Sequence, residues 1–167
     1  MYLFRSALLA AFSLFFAAAS AQEAALTGPV ILTVTGLDPA AFPDGQVEFD
    51  IPRLQALGQA EITTGSIWTK GAHLYSGVML RTLADHLKIT KGTLKLLALN
   101  DYAIVLPLEE ATADGPMLAY MLDSVPMSVR DKGPIWAVYP YDSDVKFRTD
   151  QIFARSVWQL DRIEVLQ

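Results

Sequence analysis

The sequence of 167 residues contains no cysteine and only two histidines. The lack of cysteine excludes disulfides, thiolate nucleophiles, iron–sulfur clusters and every metal site that uses a thiolate ligand. Basic residues are also few, because 13 Lys and Arg stand against 18 Asp and Glu, a formal net charge of −5. Nucleic-acid-binding proteins carry a positive field, so this balance predicts no nucleic-acid partner.

Catalytic motifs are equally scarce. No G-x-S-x-G segment is present, and two isolated histidines form neither a metal-binding spacing nor an inferable Ser-His-Asp triad. The acidic residues Asp101, Glu109 and Glu110 do not form a general acid–base pair by any spacing argument. The sequence therefore leaves the catalytic residues unknown and the question of enzymatic activity open.

The longest charge-free run lies near the N-terminus. Arg5 precedes the apolar residues 6–18, and small residues stand at Ala19 and Ala21, the two positions that signal peptidase reads. We expect residues 1–21 to be a secretory signal peptide cleaved after Ala21, with residues 22–167 forming one periplasmic domain. A single arginine favours the general secretory route over the twin-arginine route. Because the run is shorter than the roughly 20 residues that span a bilayer, we expect no membrane span in the mature chain.

The rest of the chain shows many short strand patterns separated by turn residues. Alternating β-branched residues and short apolar runs are typical of strands, and Asn100 and Asp101 form a hairpin-like turn between two of them. The charged residues 141–150 predict a loop. The predicted strands cover residues 30–35, 46–49, 61–68, 94–99, 102–106, 117–122, 135–139 and 157–166, the last with one break in its alternation.

Helical patterns are few and short. Asp50 is a typical N-cap for a helix over residues 51–57. Met79, Leu83 and Leu87 recur at every fourth position and predict a helix over residues 78–88 with Leu83 buried. Because the strands do not alternate with long helices, the pattern predicts an α+β fold with a mixed, curled sheet and a few short helices.

Four motifs follow one another along most of the chain. They are S-G-V-M-L at 76–80, N-D-Y at 100–102, K-G-P-I-W-A-V-Y-P at 132–140 and V-W-Q-L-D-R-I-E-V at 157–165. In this order they resemble motifs of the oxidoreductase molybdopterin-binding domain family, which has the sulfite-oxidase fold. The resemblance runs from about Gly28 to Val165. It implies a short, exported member that consists of this molybdopterin-binding-like domain alone.

Three positions depart from the family's pattern. Active members bind molybdenum through a cysteine near the segment that matches residues 62–65, where this chain has threonines. The family's arginine aligns with Trp136 and its closing lysine with Val157, although Arg155 lies close enough to substitute. A hydroxyl is a poor ligand for a soft metal, and a pterin phosphate needs cations or helix N-termini. We therefore expect no cofactor, with molybdopterin as the alternative.

The resemblance implies a pocket built by residues 68–75, 100–102 and 130–141. His73 could form a wall of this pocket or a surface loop, and Arg130 and Lys132 could face solvent or an anion. With two cations replaced, we expect the pocket to prefer a neutral or aromatic ligand, or a peptide, over an oxyanion. Alternatively, Trp136 plugs the pocket. The candidate pocket residues are Trp68, His73, Asn100, Asp101, Tyr102, Arg130, Lys132, Trp136, Tyr141 and Arg155.

Three functions remain open at this point. The first is a periplasmic binding or sensory module without molybdenum catalysis, whose partner is an unknown small ligand or a periplasmic or membrane protein. The second is a molybdopterin-dependent oxidoreductase that lacks the cysteine metal ligand. The third is a purely structural partner of a membrane protein. A fold alone does not decide among them, because function resides in the site.

Overall fold

Two mixed or antiparallel sheets organise residues 25–166, the part of the chain that the computed structural model describes. The expected signal peptide and its cleavage site lie outside the described residues. The strands are β1 (Leu32–Thr35), β2 (Gln46–Phe49), β3 (Ala60–Gly65), β4 (Ala72–Met79), β5 (Thr93–Ala98), β6 (Ala103–Pro107), β7 (Met117–Leu122), β8 (Val125–Pro126), β9 (Trp136–Val138) and β10 (Leu160–Leu166). The helices are α1 (Ile51–Ala56), α2 (Leu80–His86) and α3 (Asp150–Arg155), with 3₁₀ turns at Leu108–Glu110, Val129–Asp131 and Val145–Phe147.

The first sheet has the strand order β2-β1-β10-β5-β6. The C-terminal strand β10 runs parallel to β1 and antiparallel to β5, so the sheet is mixed. The second sheet has the order β3-β4-β7-β8, with β9 also paired to β7. Together with the three short helices of the described region, these sheets confirm the predicted α+β class with mixed strand directions.

The larger apolar core combines residues of the first sheet, of α1 and α2, and of β4, β7 and β9. In β5, Leu94, Leu96 and Ala98 are buried on one face, as period-two alternation requires. Helix α2 buries Leu80 and Leu83 against this core, and Leu83 is only 1% exposed, which confirms its predicted burial. A second, more aromatic cluster surrounds Trp136.

Helix α2 begins two residues later than the predicted residue 78, because β4 continues through Met79. Residues 76–79 pair with β7 and are largely buried, so their apolar pattern reflects sheet packing rather than a helix. Gly77 is required there, since an added Cβ would lie 2.1 Å from the carbonyl oxygen of Leu118. The same strand takes in His73, which the sequence pattern had placed in a loop.

Other predicted elements differ in detail. Asp50 caps α1 as expected, by accepting a 2.9 Å hydrogen bond from the backbone N–H of Arg53. The break in the last strand is a β-bulge between Leu160 and Arg162. The predicted loop over residues 141–150 contains a 3₁₀ turn and is followed by the unpredicted helix α3. Within residues 25–166, no helix is both long enough and apolar enough to cross a membrane.

Candidate aromatic binding cleft

A cleft of about 420 Å³ opens where the β5–β6 turn, the β3–β4 loop and the end of α3 meet. We call it the aromatic cleft. Four aromatic side chains contribute to its lining, and none of the described residues that line it carries a charge. The lining residues are Trp68, Ala98, Asn100, Tyr102, Phe153, Ala154, Ser156, Val157 and Trp158.

Trp68 forms the centre of the aromatic lining. Its ring centroid lies 5.4 Å from that of Trp158 and 5.7 Å from that of Phe153, with interplanar angles of 90° and 86°. Such edge-to-face pairs each contribute about 0.5–1.5 kcal/mol beyond the apolar area that they bury. Local hydrogen bonds hold the β3–β4 loop, because the Trp68 N–H donates to Ser66 Oγ and the hydroxyls of Ser66 and Thr69 lie 2.8 Å apart.

Tyr102 also lines the cleft. Its hydroxyl donates a 2.9 Å hydrogen bond to the carbonyl oxygen of Ala154, which joins the β5–β6 turn to the end of α3. Asn100 stabilises the turn by accepting a 3.2 Å hydrogen bond from the Tyr102 N–H. Asp101 has a left-handed φ of 64° and points to Arg162, with a 2.9 Å ion pair. The turn therefore places Tyr102 in the lining of the cleft, whereas the carboxylate of Asp101 pairs with Arg162 outside the lining.

Ser156 connects the cleft to the aromatic core below it. Its Oγ accepts a 2.6 Å hydrogen bond from the Tyr141 hydroxyl and donates a 2.8 Å bond to the carbonyl oxygen of Ile152. Its own carbonyl oxygen accepts a 3.2 Å bond from the indole N–H of Trp136. Burial raises the pKa of Tyr141 to about 12, so this hydroxyl stays protonated and donates at neutral pH.

Trp136 lies beneath the cleft instead of lining it. The side chain is completely buried, 5.4 Å from Tyr75 and 5.8 Å from Trp68 between ring centroids. Lys132 covers another part of the ring, with its Nζ 5.4 Å from the centroid. Trp136 is therefore a core residue that supports Trp68 from below, because the indole packs within the second sheet's aromatic cluster.

The remaining cationic candidates are held away from the cleft. Arg155 forms an ion pair with Glu110, and its side chain is only 11% exposed. Arg130 is exposed on the 3₁₀ turn that precedes Lys132. Neither side chain belongs to the lining of the aromatic cleft. The cation expected to substitute for the family's lysine is thus already neutralised by a carboxylate.

His73 lies on β4, outside the lining of the cleft. Its Nδ1 is 2.7 Å from Asp123 Oδ2, and its Nε2 is 3.2 Å from the carbonyl oxygen of Lys70. The hydrogen bond with Asp123 raises the pKa of His73 above its ordinary 6.5. The imidazole therefore fastens the β3–β4 loop to the turn after β7.

A second, more open cleft of about 420 Å³ adjoins the first and shares Phe153 with it. Tyr141 lies on its wall, and Arg148 crosses it by donating a 2.7 Å bond to the Tyr141 carbonyl oxygen. Nearby Thr64, in the segment that matches the family's metal-binding cysteine, is buried. Its hydroxyl donates to the Gly65 carbonyl oxygen and accepts from the Asp142 N–H, each at 3.1 Å.

The structure thus brings three of the sequence-derived candidates, Trp68, Asn100 and Tyr102, to one cleft. Trp136 and Arg155 lie behind that cleft, and Tyr141 lines its neighbour. Sequence reasoning left out Phe153, Ser156 and Trp158, which α3 and the segment after it bring to the lining. The only available signal was the aromatic pair five residues apart, because α3 itself has no clear sequence pattern. The other candidates, placed outside both linings, are His73, Asp101, Arg130 and Lys132.

No protein-family model matches this sequence, and no curated protein is significantly similar to it. Among residues 25–166, no group of three or more His, Asp or Glu side chains is arranged to hold a metal ion. The likeness to the molybdopterin-binding domain therefore rests on the four sequence motifs, and the site must be interpreted from its own geometry.

Proposed function

We propose that this protein is an exported binding or sensory module of the sulfite-oxidase fold that acts in the periplasm without molybdenum catalysis. Its aromatic cleft would take a small organic ligand that is not an oxyanion. The observation that carries this proposal is the lining, which combines four aromatic side chains with no charged one. Mostly apolar clefts of a few hundred Å³ with a few polar groups are typical of small-molecule sites.

The electrostatics around the cleft support a ligand that is not an anion. Oxyanion sites use cationic side chains or converging N–H donors. Here Arg155 is paired with Glu110, Arg162 is paired with Asp101, and the position at which the resemblance implies an arginine holds the buried Trp136. An anion that entered the aromatic cleft would lose its hydration without gaining a cationic partner, which is unfavourable.

A molybdopterin, which the resemblance implies, does not fit the donor groups of this site. The pterin's phosphate finds no cation in the lining of the aromatic cleft. The hydroxyl of Thr64 already makes two hydrogen bonds to backbone groups, and a neutral hydroxyl is a weak ligand for a soft metal. The buried Thr64 instead fastens the end of β3 to the segment around Asp142. We accordingly assign no catalytic step to such a cofactor.

Titration of the purified protein with probes of different charge tests this proposal. The uncharged fluorescent probe N-phenyl-1-naphthylamine should bind and change the tryptophan emission, since Trp68 and Trp158 line the cleft. Sulfite and molybdate should give no calorimetric signal. Tyr102→Ala should weaken probe binding, whereas Phe42→Leu, a half-buried aromatic outside the cleft, should not. Tight binding of either anion, or equal effects of the two variants, would contradict the proposal.

A further inference from the structure

We infer that the aromatic cleft is a cage for a quaternary ammonium group. This inference rests on the proposed function, because it names the class of organic ligand that the same cleft would bind. It is carried by three features of the lining: the angles between its aromatic rings, the distribution of charge around it, and the engagement of its polar groups.

The angles between the rings suit a compact, rounded group. Trp158 and Phe153 stand at 90° and 86° to Trp68, so the three rings do not stack as one parallel set and their surfaces face different directions. A tetrahedral group with methyl substituents can contact several differently oriented aromatic surfaces at once. Tyr102 adds a fourth aromatic surface, fixed by its hydrogen bond to Ala154.

The charge distribution favours a cationic occupant. The face of an aromatic ring carries negative electrostatic potential, which attracts a cation without a formal countercharge. No cationic side chain lines the aromatic cleft to oppose such a ligand. Arg155, at the end of α3, is paired with Glu110, and the whole chain has a net charge of −5. The average field of the protein therefore attracts cations and disfavours anions.

The polar groups of the lining point to a quaternary ammonium and away from one with N–H donors. Side-chain acceptors in the lining are few: Ser156 Oγ already donates to Ile152 and accepts from Tyr141, and the Tyr102 hydroxyl is held by its bond to Ala154. A primary ammonium needs several acceptors to replace its water shell, and leaving its donors unpaired is costly. A quaternary ammonium has no N–H, so the small number of acceptors costs it nothing. Aromatic cages recognise such cations through the ring faces.

Isothermal titration of the full protein with three small probes tests this inference. Choline carries the quaternary nitrogen, 3,3-dimethylbutan-1-ol has the same shape with carbon in its place, and ethanolamine carries a primary ammonium. We expect choline to bind at least about tenfold more tightly than either analogue, because only choline combines the cationic charge with the absence of N–H donors.

The outcomes separate this inference from the proposed function. If the carbon analogue binds as tightly as choline, the cleft is an apolar site, so the quaternary ammonium assignment fails and the proposed function stands. If ethanolamine binds as tightly as choline, the argument from the small number of acceptors is wrong and the quaternary ammonium assignment fails as well. If neither these probes nor N-phenyl-1-naphthylamine binds, the inference and the proposed function fail together.

Substitutions in the lining provide the second test. Trp158 is 36% exposed and Tyr102 is 47% exposed, so both can be changed without opening the core. Trp158→Leu should weaken choline binding by about tenfold and bring it close to that of the carbon analogue, whereas Trp158→Phe should retain most of it. Tyr102→Leu should act in the same direction, and Phe42→Leu serves as the matched control. Unchanged choline affinity in both cleft variants would overturn the inference.

Discussion

The imidazole Nδ1 of His73 lies 2.7 Å from the carboxylate of Asp123, and this contact joins β4 to the turn that follows β7. The imidazole Nε2 faces the Lys70 carbonyl oxygen at 3.2 Å. Both ring nitrogens thus face acceptors, an arrangement that only the doubly protonated imidazolium satisfies completely. The pair therefore stabilises the β3–β4 loop that carries Trp68 most strongly when His73 is charged.

This geometry predicts a defined pH dependence. The hydrogen bond between the two side chains raises the pKa of His73 above 6.5 and lowers the pKa of Asp123 below 3.8. The contribution of His73 to stability is complete below pH 6.5 and is lost as pH rises through its folded-state pKa. The contribution of Asp123 is present above pH 3.8 and is lost as pH falls through its folded-state pKa. The pair should therefore stabilise the fold most at weakly acidic pH.

An NMR titration of the His73 ring protons checks this directly. The midpoint should lie above 6.5 in the native protein and should fall in Asp123→Asn, which removes the carboxylate charge. The difference in unfolding midpoint between the native protein and His73→Ala should shrink as pH rises above neutrality. A His73 midpoint that does not respond to Asp123→Asn would show that the pair is not formed in solution.

Asp50 provides a second prediction, on the acid side. Its burial raises the pKa, but hydrogen bonds from the backbone N–H groups of Arg53, Thr27 and Gly28 outweigh this effect and lower the pKa to about 2. The stability that the carboxylate contributes should be present above pH 3.8 and lost as pH falls towards 2.

Denaturant unfolding of the native protein and Asp50→Asn at several pH values measures this contribution. At neutral pH the native protein should have a larger free energy of unfolding than Asp50→Asn. The difference between the two free energies should narrow as the pH falls towards 2, because the Asp50 carboxylate of the native protein is then neutralised. Asp114, an exposed carboxylate in the turn before β7, offers the matched control as Asp114→Asn. If the free energies of unfolding of the native protein and Asp50→Asn differ by the same amount at every pH in this range, the hydrogen bonds assigned to the Asp50 carboxylate are contradicted.

Leu83 tests the packing of helix α2. Its side chain is 1% exposed, so Leu83→Ala should lower the free energy of unfolding by about 2–5 kcal/mol through lost burial and a residual cavity. Leu99→Ala, at a position that is 46% exposed, should change it by less than about 1 kcal/mol. Equal effects of the two substitutions in urea unfolding would contradict the burial of Leu83 in the larger apolar core.

The proposed export makes a prediction about covalent mass. Intact-mass spectrometry of the protein from the periplasmic fraction should give the mass of residues 22–167, because Ala19 and Ala21 match the positions that signal peptidase reads. Recovery of the protein in the membrane fraction with residues 1–21 still attached would instead indicate an uncleaved anchor.

Local sequence signals identified some elements because their pattern and their packing agree. Asp50 caps α1, and the alternating residues of β5 bury one face, so capping and periodicity alone were sufficient there. Capping and periodicity were insufficient for β4. Its residues around Val78 are buried within the sheet, so they form a continuous apolar run, and a buried helix gives the same pattern. The start of α2 was misplaced for this reason.

The aromatic cleft was only partly accessible from the sequence. The motif resemblance indicated the loop of Trp68 and the turn of Tyr102, which lie at the ends of predictable strands. Phe153 and Trp158 reach the cleft through α3, whose six residues are too few for a recognisable hydrophobic period. Tertiary bonds, such as the one from Tyr102 to Ala154, position this helix. Such long-range contacts have no counterpart in local sequence patterns.

The central claim is that this protein is a binding module without molybdenum catalysis. Elemental analysis of the protein purified from the native periplasm tests this claim most directly. The account predicts no stoichiometric molybdenum, because the aromatic cleft has neither a cation for a pterin phosphate nor a thiolate for the metal. Molybdenum at one atom per chain, accompanied by pterin absorbance, would contradict it and establish the molybdopterin-dependent oxidoreductase instead.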